Sequence, residues 1–270
     1  MWNVTQFVLP EMDMWDVARL EMARGQLAST GLASFPGFLP REALRLAVEE
    51  VRSLESRAFA TDDRHNAYQK PPDATYGERH PRNRRARTRV ASVAYDMLSP
   101  DGPIRTLYAR LPALVGAVTN RTLYPLADPL GAATINVFRD DWAHAWHFDE
   151  AEFTTTLSLQ RAEAGGDFQF ARPSRHSNDD FAFDETAQVL RAYVDDDDDG
   201  LEDTCPAKTT LPRPPPPDVS VAPFEPGTLQ IFNGRRTLHR VTKTRGGASR
   251  LVAVFCFAET PGFVNSPEVQ

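Results

Sequence analysis

His147 and Asp149 stand either side of Phe148; His239 follows 92 residues after His147, and Arg250 eleven residues after that. Two imidazoles and one carboxylate so arranged are the ligand set of a non-haem Fe(II) centre. They take one face of an octahedral metal and leave three positions open on the other. Open positions suit an oxygenase, which must seat a chelating cosubstrate and O2. Arg250 lies where a 2-oxoglutarate enzyme keeps the cation for the cosubstrate's far carboxylate. It leads the apolar run Leu251-Val252-Ala253-Val254-Phe255, and a guanidinium buried there is costly unless a carboxylate meets it in bidentate fashion. Fe(II), 2-oxoglutarate and O2 are therefore the expected metal, cosubstrate and oxidant. A bare His-x-Asp is common by chance, but these four residues together at strand boundaries are a far more specific signal. A structural zinc would need a fourth Cys or His to close a tetrahedron, and none is evident.

Several neighbours are candidates for lesser roles. Asn136 interrupts an apolar strand pattern; its amide could hydrogen-bond the cosubstrate or be a satisfied core group. His144 and Glu150 flank the metal pair and could line its mouth, with Glu150 attracting a substrate ammonium. Trp142 and Trp146 could wall the pocket, although packing is their commoner role.

The elements that must position these residues read as helices first and strands second. Residues 11–30 suit a first helix. From Arg41 to Phe59 the spacing of Leu44, Val48, Val51 and Leu54 predicts an amphipathic one, and 103–120 keeps the helical period. Beyond about 132 the pattern changes to short β-branched and aromatic runs: 133–139, 153–160, 166–171, 227–232 and 251–258. His147 and Asp149, two apart on a strand, would then point to one face. This order predicts a mainly β fold with packed helices, a jelly roll carrying N-terminal helices on one sheet. A single domain over 1–270 is expected, with 1–125 mainly helical support and 126–262 the jelly-roll core.

Composition narrows the partners. No apolar run approaches the roughly 20 residues of a membrane span, and the N-terminus lacks the basic and apolar regions of a secretory signal. A cytoplasmic protein is the simplest expectation. Residues 178–203 hold eleven acidic side chains and one basic one, which more than accounts for the net charge of -7. Within 195–223 the acidic run joins a proline run, a composition that reads as a flexible insert. Six arginines between 79 and 89 would suit phosphate contacts, but without interleaved aromatic residues they lack a stacking platform, and nucleic acid is not the expected partner.

The chain resembles the BesD/HalD-type family of iron/2-oxoglutarate halogenases and hydroxylases, which act on free amino acids. The likeness rests on Arg64-His65-Asn66-Ala67-Tyr68, Ala127-Asp128-Pro129-Leu130, Ile135-Asn136-Val137, Trp146-His147-Phe148-Asp149, Gly165-Gly166-Asp167-Phe168 and Gly234-Arg235-Arg236-Thr237-Leu238-His239. It implies a double-stranded β-helix, with His147, Asp149 and His239 as metal ligands and Arg250 as cosubstrate residue. It adds His65 and Asn66 to the candidate substrate residues and implies a small, amino-acid-like substrate. Halogenases of this family replace the carboxylate ligand by a small residue. Asp149 therefore implies hydroxylation, with succinate and CO2 as by-products. The alternatives are a halogenase-like enzyme, an oxygenase demethylating nucleic acid or protein, and a metal-binding jelly roll without turnover.

Overall fold

The computed structural model describes residues 17–128, 130–177, 180–193 and 219–269. In chain order the elements are α1 (Val17–Thr30), β1 (Leu32–Phe35), α2 (Arg41–Leu54), β2 (Phe59–His65), β3 (Ala86–Ala94), α3 (Pro103–Tyr108), α4 (Leu111–Thr119), β4 (Tyr124–Pro125), β5 (Ala133–Phe138), β6 (His144–His147), β7 (Phe153–Gln160), β8 (Ala164–Gly165), β9 (Phe168–Ala171), α5 (Phe183–Ala192), β10 (Val219–Ala222), β11 (Leu229–Phe232), β12 (His239–Val241), β13 (Thr244–Arg245) and β14 (Arg250–Ala258).

The larger sheet runs β1-β11-β7-β14-β5-β3-β2, with β4 beside the end of β14. The smaller runs β10-β9-β12-β6. From β5 onward the chain passes repeatedly between the two, so β5, β14, β7 and β11 face β6, β12, β9 and β10. This is a double-stranded β-helix, the expected fold. Alternation along β14 shows how it is held. Leu251, Ala253, Phe255 and Phe257 are fully buried in the cluster shared with α1–α4. Arg250 and Val252, one pleat over, face the interior of the roll with Phe138, Phe168, Phe170 and Phe232.

Four expectations about the elements are corrected. Residues 103–120 form two helices, because Pro112 has no N–H to continue the α3 ladder and its ring clashes with the preceding turn. The helix from Arg41 ends at Leu54, and Phe59 opens β2. Residues 1–125 also supply four strands of the larger sheet, β1 to β4; β3 takes in the end of the arginine-rich run, Arg87 and Arg89, and is paired with β2 from Phe59↔Ser92 to His65↔Ala86. The insert foreseen over 195–223 lies outside the described residues up to 218, but its last part forms β10, in register with β9. Residues 11–16 of the first helix also lie outside the described residues.

A helix that the sequence reading missed, α5, places Val189 and Leu190 against Trp146 and Leu238. Asp184 and Glu185 occupy its first turn, where negative charge is favoured by the helix dipole. No described helix is long and apolar enough to cross a membrane.

Candidate metal centre

β6 and β12 lie side by side with His147 opposite His239. Each ring is oriented from behind. His147 Nδ1 donates to the Ala145 carbonyl and His239 Nδ1 to that of Thr237, both at 2.8 Å. A carbonyl can only accept, so each Nε2 keeps its lone pair for a metal. Both Nε2 atoms stand 3.4 Å from Asp149 Oδ1, and the three ligand atoms lie within 4.8 Å of one another.

Asp149 is not on the strand, as the spacing suggested. β6 ends at His147, and the carboxylate is brought back by a turn whose Asp149 N–H donates to Gly234 O at 3.0 Å. Thr154 Oγ1 donates to Asp149 Oδ2 at 2.5 Å, leaving Oδ1 facing the histidines. Gly234 is required here: a Cβ would stand 2.1 Å from Asp149 Oδ2. Burial, then the neighbouring His239, pushes the His147 pKa down. Burial alone would raise the Asp149 carboxyl, but His239 and His147 hold it well below its ordinary range. A carboxylate beside an imidazole that gives up its proton readily is the donor set a divalent metal requires.

The other candidates divide sharply. β6 carries one residue more than β12 between the pairs His147↔His239 and Val241↔His144. This irregularity resets the alternation and stacks His144 on His147, with ring centroids 3.9 Å apart. His65 sits edge-on to both. Its Nδ1 donates to Asn66 O at 3.0 Å, so Nε2 accepts from Thr88 Oγ1 at 2.7 Å. Thr88 Oγ1 in turn accepts the Ala145 N–H at 3.1 Å. His65 is thus braced behind the ligand strand. Asn66 is saturated by backbone groups of Tyr68, Lys70 and Arg82 and shapes a turn. Trp146 points away from the ligands into the cluster under α5, with Arg240 over its ring. Trp142 packs with Arg139 over its ring. Asn136 lies in register with Val252 and so shares the inner face with Arg250; its Oδ1 accepts only long 3.4 Å bonds from Ser92 and Thr134.

Arg250 is the electrostatic anomaly. It is 2 % exposed, and its Nε and Nη1 have no hydrogen-bond partner among the described residues. Phe138 and Phe224 flank the guanidinium, with ring centroids 5.3 and 4.0 Å from Cζ. Burial pushes its pKa down to about 9, which leaves the group charged at neutral pH. Phe168 and Phe232, which touch the His239 ring, belong to the same inner cluster as Phe138 and Phe224. One cluster of aromatic side chains therefore reaches from the cation to the His239 ring.

On the other side Asp149 opens into a cleft of about 340 Å³ walled by Tyr68, Phe148, Phe181 and Phe263, with Lys70, Arg175 and Arg235 among its polar residues. Sequence reading missed these, as no local spacing joins them. Glu150 lines the cleft too, but is already engaged: Oε1 accepts from Lys70 Nζ at 2.5 Å and Ser266 Oγ at 2.8 Å, and Oε2 from Ser266 N at 2.6 Å. A substrate ammonium would have to compete with Lys70 for it.

Fold and site together define a double-stranded β-helix with a two-histidine, one-carboxylate cluster inside one end of the roll. Solved structures of the same fold include the non-haem alpha-ketoglutarate-dependent epimerase SnoN of nogalamycin biosynthesis, at 15 % identity over 90 % of this chain and 82 % of that one, TM-score 0.56. HygX from Streptomyces hygroscopicus, solved with nickel, 2-oxoglutarate and hygromycin B, matches at 14 % over 91 % and 88 %, TM-score 0.53. An oxidoreductase of the 2OG-Fe(II) oxygenase family from Burkholderia pseudomallei matches at 15 % over 90 % and 92 %, TM-score 0.51. No protein-family model and no curated protein matches the sequence. At these identities the likeness is one of fold.

Proposed function

We propose that this chain is an Fe(II)- and 2-oxoglutarate-dependent dioxygenase that hydroxylates an sp3 carbon of a small, amino-acid-like molecule, with release of succinate and CO2. The observation that carries this reading is Arg250: a buried guanidinium whose Nε and Nη1 have no hydrogen-bond partner among the described residues, joined to the His147–Asp149–His239 cluster by the inner aromatic side chains. A buried cation whose N–H groups lack acceptors is costly even with the Asp167 carboxylate in electrostatic reach, and a dicarboxylate that also reaches the metal would relieve that cost. The donor set fits iron, and the bound metal would supply activation of O2 at positions the three side chains leave open.

The chain's own residues then do the positioning. The Ala145 and Thr237 carbonyls aim His147 and His239, and Thr154 fixes Asp149. The buried aromatic rings of the inner cluster pack against Arg250 and His239 and would keep water from them. The 340 Å³ cleft has aromatic walls for a substrate's carbon chain, and its cations would take a substrate carboxylate alongside their present partners, Lys70 with Glu150 and Arg235 with Glu152. Asp149 favours hydroxylation over halogenation, because a full carboxylate holds the position that a halide would take.

The test is aerobic incubation of purified protein with Fe(II), 2-oxoglutarate and a panel of free amino acids, reading succinate and product mass. Succinate formation matched by a product gaining one oxygen atom from 18O2 is expected. Tight binding of metal and 2-oxoglutarate without succinate from any pool would instead identify a sensor or binding protein.

A further inference from the structure

The two ends of the proposed centre open by different routes. Asp149 lies in the wall of the 340 Å³ cleft, whereas Arg250 lies in the wall of a second cavity of about 140 Å³, and the two share no lining residue. The second cavity is bounded by Gly166, Val221 and Phe224 beside Arg250. Gly166 makes the approach possible, since a Cβ there would stand 2.8 Å from Arg250 Cδ. Phe224 belongs to the inner cluster and covers the guanidinium. Phe224 and the Arg250 guanidinium thus form part of the wall between this cavity and the inner aromatic cluster. At the rim, Arg161 and Glu225 pair at 3.1 Å with both side chains more than half exposed, and such exposed pairs are weak and open readily.

We infer that 2-oxoglutarate enters, and succinate leaves, through the opening at Arg250, while the cleft at Asp149 serves the substrate. This rests on the cosubstrate role of Arg250 proposed above. A dianion arriving by this route passes Arg161, Glu225 and Asp167 in the cavity wall before it reaches the buried cation, and a side-chain movement of Phe224 would let it by. A substrate seated in the cleft blocks the other path. With one shared mouth every exchange of succinate for 2-oxoglutarate would require the cleft to empty; with two it does not.

Val221 and Val264 each line one opening and are 56 % and 49 % exposed, so Val221→Trp and Val264→Trp obstruct one mouth each. Full-length protein loaded anaerobically with Fe(II) is mixed with 2-oxoglutarate. Stopped-flow absorption of the metal–cosubstrate complex follows association and dissociation, and calorimetry gives Kd. Val221→Trp is expected to slow both rates together, on the order of tenfold, with Kd unchanged, because a plug in a passage alters rates and not the bound state. Val264→Trp should leave all three as they are. Ala162→Trp at the same rim repeats the result if β10 rejects the larger side chain. Slowing by Val264→Trp alone, equal slowing by both, or none by either overturns the separate entrance. So does a raised Kd in Val221→Trp with association unchanged, which would make the cavity a binding wall. Absence of saturable 2-oxoglutarate binding by the unaltered protein removes the cosubstrate reading itself.

Discussion

At the scale of single residues, the metal centre depends on groups that are not ligands. Gly234 leaves room for the Asp149 carboxylate, and Gly234→Ala puts a methyl 2.1 Å from Oδ2. The helical and sheet content should survive, while metal affinity falls at least about 10- to 100-fold, the range for a disturbed supporting shell; circular dichroism beside metal titration separates the two. Arg250→Ala acts elsewhere. Removing one side of a buried, charge-assisted contact costs on the order of 2–4 kcal/mol, so the requirement for 2-oxoglutarate should rise roughly a hundredfold while that for iron barely changes. Equal loss of both would mark a folding defect and remove the assigned role.

At the scale of elements, the smaller sheet is aligned by a strand of the larger one. β3 reaches β6 through Arg89 N–H to Ala143 O at 2.9 Å and through the Thr88 hydroxyl to Ala145. Ala145, pinned by its N–H to Thr88, presents through its own carbonyl the acceptor that orients His147. Thr88→Val strips partners from a buried N–H and from His65, a cost of about 1–3 kcal/mol. Thermal unfolding should drop by a few degrees for a chain of this size, and metal affinity should fall with it. Unchanged affinity would show that the β6 irregularity holds His147 without Thr88. The arginines of β3 serve this same architecture: Arg87 pairs with Asp62 and Arg89 with Asp141, each at 2.6 Å.

At the scale of the whole molecule, Glu150 ties the C-terminal segment to the cleft. Burial raises its pKa, but the bonds from Lys70 and Ser266 outweigh this and hold it below its ordinary value. A carboxyl lowered in the folded state contributes stability above its unfolded pKa, about 4.3, and loses it as pH falls through the folded value. Melting curves of the wild type and Glu150→Gln should thus differ most at neutral pH, by about 1 kcal/mol for a partly exposed pair, and converge in acid. A gap that persists in acid would assign the difference to shape instead of charge. The reaction type is also a property of the assembled site. High chloride or bromide should leave the product oxygenated, as read by mass, because Asp149 keeps its position; a dominant halogenated product would refute the hydroxylase assignment.

The convergence of His147, Asp149 and His239 and the burial of Arg250 were legible in the sequence because metal and anion chemistry accepts few residue types, and strand ends confine their spacing. Five of the strands from 133 onward, β5, β7, β9, β11 and β14, were legible too, since runs rich in β-branched and aromatic residues between turn signals suit a buried strand, and β14 is buried along nearly its whole length. What the sequence alone did not determine is who satisfies whom. β2 and β3 escaped notice because an edge strand carrying cross-strand Arg–Asp pairs has the composition of a loop. Asn66, Trp146 and Glu150 looked available to a substrate, yet each is occupied: Asn66 by its own turn, Trp146 by α5, Glu150 by Lys70 and Ser266, 80 and 116 residues away. Pairing over such separations leaves no local periodicity. It follows from closure of the roll, which brings distant loops to one rim and decides there which polar groups remain for a ligand.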